Sequence, residues 1–105
     1  MGRHYYDVIM RTPIGARYGR ISVTIENNKI DGILVILKKS NPFCGSINEN
    51  GDCQIKGEVK TLLRTIPYDA TGKITEENIV LKLKSEHEIF DLSGTVPAAR
   101  KEKSV

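Results

Sequence analysis

Ile30-Asp31-Gly32-Ile33-Leu34-Val35-Ile36-Leu37 is the most apolar run in the chain, and its reading decides the fold. Its opening Ile-x-Gly-x-(Leu/Val) returns as Ile55-Lys56-Gly57-Glu58-Val59 and as Leu92-Ser93-Gly94-Thr95-Val96. Each copy reads as the returning strand of a β-hairpin, because an alternating segment and a turn precede it. Before the first copy, Ile21, Val23 and Ile25 alternate with Ser22, Thr24 and Glu26. Asn27-Asn28 then suits a two-residue turn, since Asn tolerates positive φ. That turn pairs Ile25 with Ile30, Val23 with Gly32 and Ile21 with Leu34, all on one face. Before the second copy, Glu49-Asn50-Gly51 reads as a loop with Gly at the left-handed position, setting Ile47 against Cys53 and Gly45 against Ile55. Cys53, Ile55, Gly57, Val59 and Leu63 then share the inner face. The third hairpin runs out through Ile79, Leu81 and Leu83 and back through Phe90, Leu92 and Gly94, around a tip at Ser85-Glu86-His87-Glu88.

A first strand is expected over Tyr5 to Thr12, with Tyr6, Val8 and Met10 on one face. Pro13 and Gly15 end it. Thr75-Glu76-Glu77-Asn78 is read as one turn capped by Thr75, and no long segment has helical periodicity. The connectors repeat as well. A basic residue, a hydroxyl residue and a nearby Pro lead to Gly-x-Ile near Arg11, Lys39 and Arg64, with a period of about 26 residues between the first copies. The Gly of each returning strand faces inward, where it lets a sheet bend and close on itself. The expected fold is therefore all-β: a small antiparallel barrel of six or seven strands, built from three pseudo-repeated β-hairpins plus the N-terminal strand. A two-sheet β-sandwich is the alternative. Residues 1–97 are read as one domain and 98–105 as a disordered basic tail.

A chain of 105 residues makes one domain that buries roughly two-thirds of its unfolded surface. Its 39% apolar and 28% charged residues are ordinary for a globular protein. A net charge of +3 permits an anionic partner without demanding one. Arg3, Asp7 and Arg11 leave no signal-peptide apolar region, and Tyr6 stands where myristoylation favours Ser or Thr. The longest apolar run is five residues, too short to span a bilayer. A cytoplasmic protein with no membrane partner is expected.

No enzyme is expected, and no cofactor or metal. His4 lies near an end and His87 at a hairpin tip between two glutamates, neither beside a nucleophile. Cys53 faces inward and Cys44 outward near Lys56, so their side chains diverge too far for a disulfide. The connectors carry one constellation. Gathered at one barrel end, they bring Arg11, Arg17, Lys38, Lys39 and Arg64 near Tyr18, Phe43 and Tyr68. The tips, with Glu26, Glu49, Asp52, Glu86 and Glu88, gather at the other end. Cations among planar rings hold phosphates and stack on bases or sugars. The function expected is a small non-enzymatic binding or adaptor module for an anionic partner, nucleic acid included. The plain reading is a set of solvated loop ends with aromatics plugging the mouth. Ile33, Val35 and Leu37 fall on the outer face, where a loop such as Ile14 to Tyr18 covers them or a second copy does. Such self-association would make the chain a structural or assembly protein that forms a homo-oligomer. A small apolar ligand inside the barrel ranks behind both, because a barrel this narrow fills itself.

Overall fold

The computed structural model describes residues 2–13 and 15–97; the expected basic tail, 98–105, lies outside the described residues. Eight strands follow in order: β1 (Gly2–Thr12), β2 (Gly15–Glu26), β3 (Lys29–Ile36), β4 (Lys39–Ile47), β5 (Asp52–Lys60), β6 (Thr65–Ile74), β7 (Asn78–Lys84) and β8 (Ile89–Thr95). Each pairs antiparallel with the next, and β8 returns to β1, so the sheet closes into an up-and-down barrel. The closing ladder runs from Asp7–Thr95 to Arg11–Asp91. Closure excludes the two-sheet sandwich. No helix among the described residues is long and apolar enough to cross a membrane. The outer wall carries the exposed ion pairs Arg20–Asp7, Lys56–Asp69 and Lys73–Asp52.

The pairs read from the alternation are present. Ile25–Ile30, Val23–Gly32 and Ile21–Leu34 join β2 to β3. Ile47–Cys53 and Gly45–Ile55 join β4 to β5, and Leu83–Phe90, Leu81–Leu92 and Ile79–Gly94 join β7 to β8. Asn27 and Asn28 have φ of 52° and 66°, as a two-residue hairpin turn requires, and Gly51 has φ of 89°. The inward glycines make room for rings. Val23, Gly32, Phe43, Gly57 and Tyr68 are successive partners across β2 to β6. A side chain at Gly57 would lie 2.9 Å from Phe43 Cβ and 2.7 Å from the Tyr68 hydroxyl, so large and small residues alternate around the wall.

The count of six or seven strands is corrected to eight. Segments read as connectors are strands: Gly15–Arg20 is half of β2, Lys39–Cys44 belongs to β4, and Thr65–Ile74 is the whole of β6. Pro42 and Pro67 disguised them, since Pro cannot donate to a ladder. Each sits where a ladder has already stopped. The β4–β5 ladder ends at Phe43–Gly57, and β6–β7 begins at Asp69–Lys84. The prolines thus interrupt nothing on that flank. Because β6 carries the chain back across the barrel, the third hairpin points the opposite way from the first two. Its tip lies with the connectors rather than with Asn27–Asn28, so the expected separation of basic and acidic ends does not hold.

The early stop of both ladders splays one end of the barrel. There the β5–β6 hairpin, from Glu58 to Pro67, stands clear of a backbone ladder on either flank. Buried Asn41 tethers it: its Oδ1 accepts from the Lys60 N–H at 2.9 Å, while its Nδ2 donates to the Leu34 and Lys39 carbonyls at 3.0 and 3.1 Å. A fully buried amide with three partners is satisfied and fixes three strands together.

Candidate functional site

The splayed end forms a mouth with a cavity of about 830 Å³, within the range of small-molecule sites. Its floor is the inward face of β1, β5, β6 and β8: Met10, Val59, Ile66 and Phe90. All four are buried, so the cavity is a cup over a filled barrel rather than a tunnel along its axis. Pro13, Leu37, Leu62 and Leu63 raise its apolar sides, and Arg17, Lys38, Arg64 and Glu88 stand at its rim. Such a surface pairs an apolar seat with a cationic edge.

Two rim elements are held by specific chemistry. Thr61 closes the β5–β6 turn: its N–H reaches the Arg64 carbonyl at 2.8 Å, and its hydroxyl accepts from the Leu63 and Arg64 N–H groups at 3.2 and 3.1 Å. Leu37 and Lys38 form the β3–β4 turn with φ of 56° and 63°. Neither is Gly or Asn, so the turn holds two side chains in a conformation that disfavours them. Arg64 Nη2 meets Glu88 Oε1 at 2.9 Å, and Arg17 Nη1 donates to its neighbour's carbonyl, Ala16, at 3.0 Å.

Of the residues expected to hold an anion, Arg17, Lys38 and Arg64 converge on the cavity. Lys39 opens β4 exposed, beside the cup but not lining it. Arg11 lies on the outer wall opposite Asp91. Tyr18 is on the outer face of β2, 77% exposed. Phe43 and Tyr68 are inside the barrel, 6% and 7% exposed, and burial pushes the Tyr68 hydroxyl from its ordinary 10 up to about 12. They cannot stack on a partner at the mouth. Leu63 was expected to face the core but is 94% exposed, because two consecutive leucines cannot share one face of a strand and the turn begins at Thr61. That doublet between Lys60 and Arg64 was the available sign of the prong.

Ile33 and Val35 lie outside, 42% and 43% exposed, with Leu37 at 36%. Loop cover is corrected: Gly15–Tyr18 belongs to β2, alongside β1. Tyr5, Ser22, Ile33 and Pro42 form one row across β1 to β4. Cys53 is buried, its thiol pushed up from 9 to about 11 by burial and then by Asp52, while exposed Cys44 pairs with Lys56 on the outer wall; both are free. His87 and Glu86 sit 3.7 Å apart at the exposed β7–β8 turn. No protein-family model matches this chain, and no curated protein is significantly similar to it.

Proposed function

We propose that the protein is a non-enzymatic binding module whose mouth holds a small anionic amphiphile. The apolar body rests on Met10, Ile66 and Phe90, and the acid group lies against Lys38, Arg17 and Arg64. The observation that carries this reading is the convergence of three cations on the rim of one apolar cup. The strained Leu37-Lys38 turn supports it, since backbone strain gathers where a site requires a particular side chain. With Phe43 and Tyr68 inside the barrel, an apolar anion fits better than a nucleic acid, which would seek stacking rings.

Titration calorimetry with sodium decanoate tests the reading. Binding is expected to weaken with added salt and several-fold in Lys38→Ala. Heat that is unchanged by Lys38→Ala, or a mixed-sequence oligonucleotide that binds more tightly than decanoate, would count against it.

A second reading is self-association of the outer face of β3 through Ile33 and Val35, with Leu37 in the turn just beyond them. The exposed row that adds Tyr5 and Pro42 favours it. It calls for a dimer in sedimentation that Val35→Glu dissociates; a monomer at high concentration removes it.

A further inference from the structure

We propose that the mouth end docks on an anionic phospholipid bilayer, with Leu62 and Leu63 inserting among the lipids. These two neighbours are 95% and 94% exposed, the most exposed large apolar side chains among the described residues. They are not loose: Thr61, just before them, bonds to the Leu63 N–H and to the N–H and carbonyl of Arg64, just after them, and holds the turn shut. They also crown a hairpin with no flanking ladder from Glu58 to Pro67, which places them ahead of the barrel wall. A rigid prong that presents leucines to water gains nothing from its fold. It gains when the leucines leave water.

Charge selects the surface. Lys60 precedes the doublet, Arg64 follows it, and Lys38 and Arg17 line the same cup. Cations around an inserted apolar tip match the negative potential of an anionic leaflet, each contributing about fivefold in partitioning. The β7–β8 turn opposes this with Glu86 and Glu88. Glu88 is engaged by Arg64, and Glu86 stays exposed. The barrel therefore docks tilted, with the β7–β8 turn lifted and the Lys38 side lowered. One level below the prong, the exposed Lys56–Asp69 pair keeps the wall itself in water. This reverses the expectation of no membrane partner. It shares the rim cations with the cavity reading, but its own footing is the leucine doublet.

Vesicle co-sedimentation of the full chain tests it, with phosphatidylcholine alone and with about one-third phosphatidylglycerol. Binding to the anionic vesicles is expected, with little to the neutral ones. Leu62→Ser with Leu63→Ser is expected to weaken binding about 100-fold while leaving the thermal transition unchanged, because both side chains are outside the core. Three results would overturn the proposal: no binding to anionic vesicles, binding indifferent to the leucine substitutions, or a dimer in solution that those substitutions dissociate. Decanoate calorimetry on the same protein separates the two readings. Decanoate bound without vesicles removes docking and leaves the cavity; vesicles bound without decanoate do the reverse.

Discussion

The two ends of the barrel are joined differently. At the Asn27–Asn28 end, turns are bonded to neighbouring strands: the Ile47 N–H reaches the Asn28 carbonyl, Ile74 reaches Gly51, and Val96 reaches Glu77. The Tyr6 hydroxyl adds a bond to the Thr75 carbonyl across the interior. At the mouth, Thr61 and Ser85 bond within their own turns, as Thr75 also does at the other end, and two ladders stop beside Pro42 and Pro67. The turns differ in the same sense. Asn27 and Asn28 occupy, at φ of 52° and 66°, the backbone that Leu37 and Lys38 occupy at 56° and 63°. Asn tolerates that region because its amide bonds locally, whereas other side chains clash. One end uses residues that suit its backbone; the other keeps residues that do not.

Alkaline titration should have the largest effect, and it acts at both ends, since Tyr68 toward the mouth is also raised from 10 to about 12. Burial, with a smaller contribution from Glu76, raises Tyr6 from 10 to about 12, and Cys53 at the same end is raised from 9 to about 11. All three groups are neutral in the fold. Below pH 9 neither state ionises them, so stability is flat there. Above it the unfolded chain loses protons first, and stability falls as pH rises toward 12. The loss is about 2 kcal/mol or more per group by pH 12. Urea melts from pH 8 to 11.5 measure it, and Tyr6→Phe should reduce the slope between pH 10 and 12, leaving the parts due to Cys53 and Tyr68. The mouth's own anchor comes next. Asn41→Ala leaves the Leu34 carbonyl and the Lys60 N–H without their partner and should cost about 2 kcal/mol. Amide exchange should then quicken at Lys60 and Leu63 while Ile47 and Ile74 stay protected. Equal loosening at both ends would contradict the division.

The stitched end was legible in the sequence; of the mouth, the β7–β8 hairpin was legible and the β5–β6 hairpin was not. Wherever alternation ran between turns of Asn or Gly, as in Ile21–Ile25 against Ile30–Leu34, period and turn chemistry agreed and the register followed. In β6 they disagree. Ile66, Tyr68 and Ala70 alternate with Pro67, Asp69 and Thr71 as a strand should, but Pro67 and Gly72 read as a break. A ladder that ends beside a proline is a tertiary fact with no local sign. Of the cations, Arg17, Lys38 and Arg64 were placed at one end by position in the chain alone. The burial of Phe43 and Tyr68 depended on the cross-strand pairing of each with Gly57, which needed β6 to be seen as a strand.

Exchanging the turns sharpens the contrast further. Replacing Leu37 and Lys38 together, Leu37→Asn with Lys38→Gly, relieves the left-handed strain and should stabilise the fold by about 1 kcal/mol, raising the melting temperature by about 5 °C. The same change removes a cavity wall and a rim cation, so decanoate binding should weaken several-fold. Stability and binding then move in opposite directions, which a turn with no role in contact would not show.

The smallest expected effect on stability belongs to Glu88→Gln. The Arg64–Glu88 pair is partly exposed, its side chains 57% and 29% accessible, so its loss should cost only a few tenths of a kcal/mol. Its effect on binding has the opposite sign. With the carboxylate gone, Arg64 has no internal anion to leave before it meets an external one, and decanoate affinity should rise about two- to fivefold. Calorimetry at low salt resolves a change of that size. A fall in affinity would place Glu88 among the groups that hold the ligand rather than compete with it, and the rim would then be a mixed polar edge instead of a cationic one.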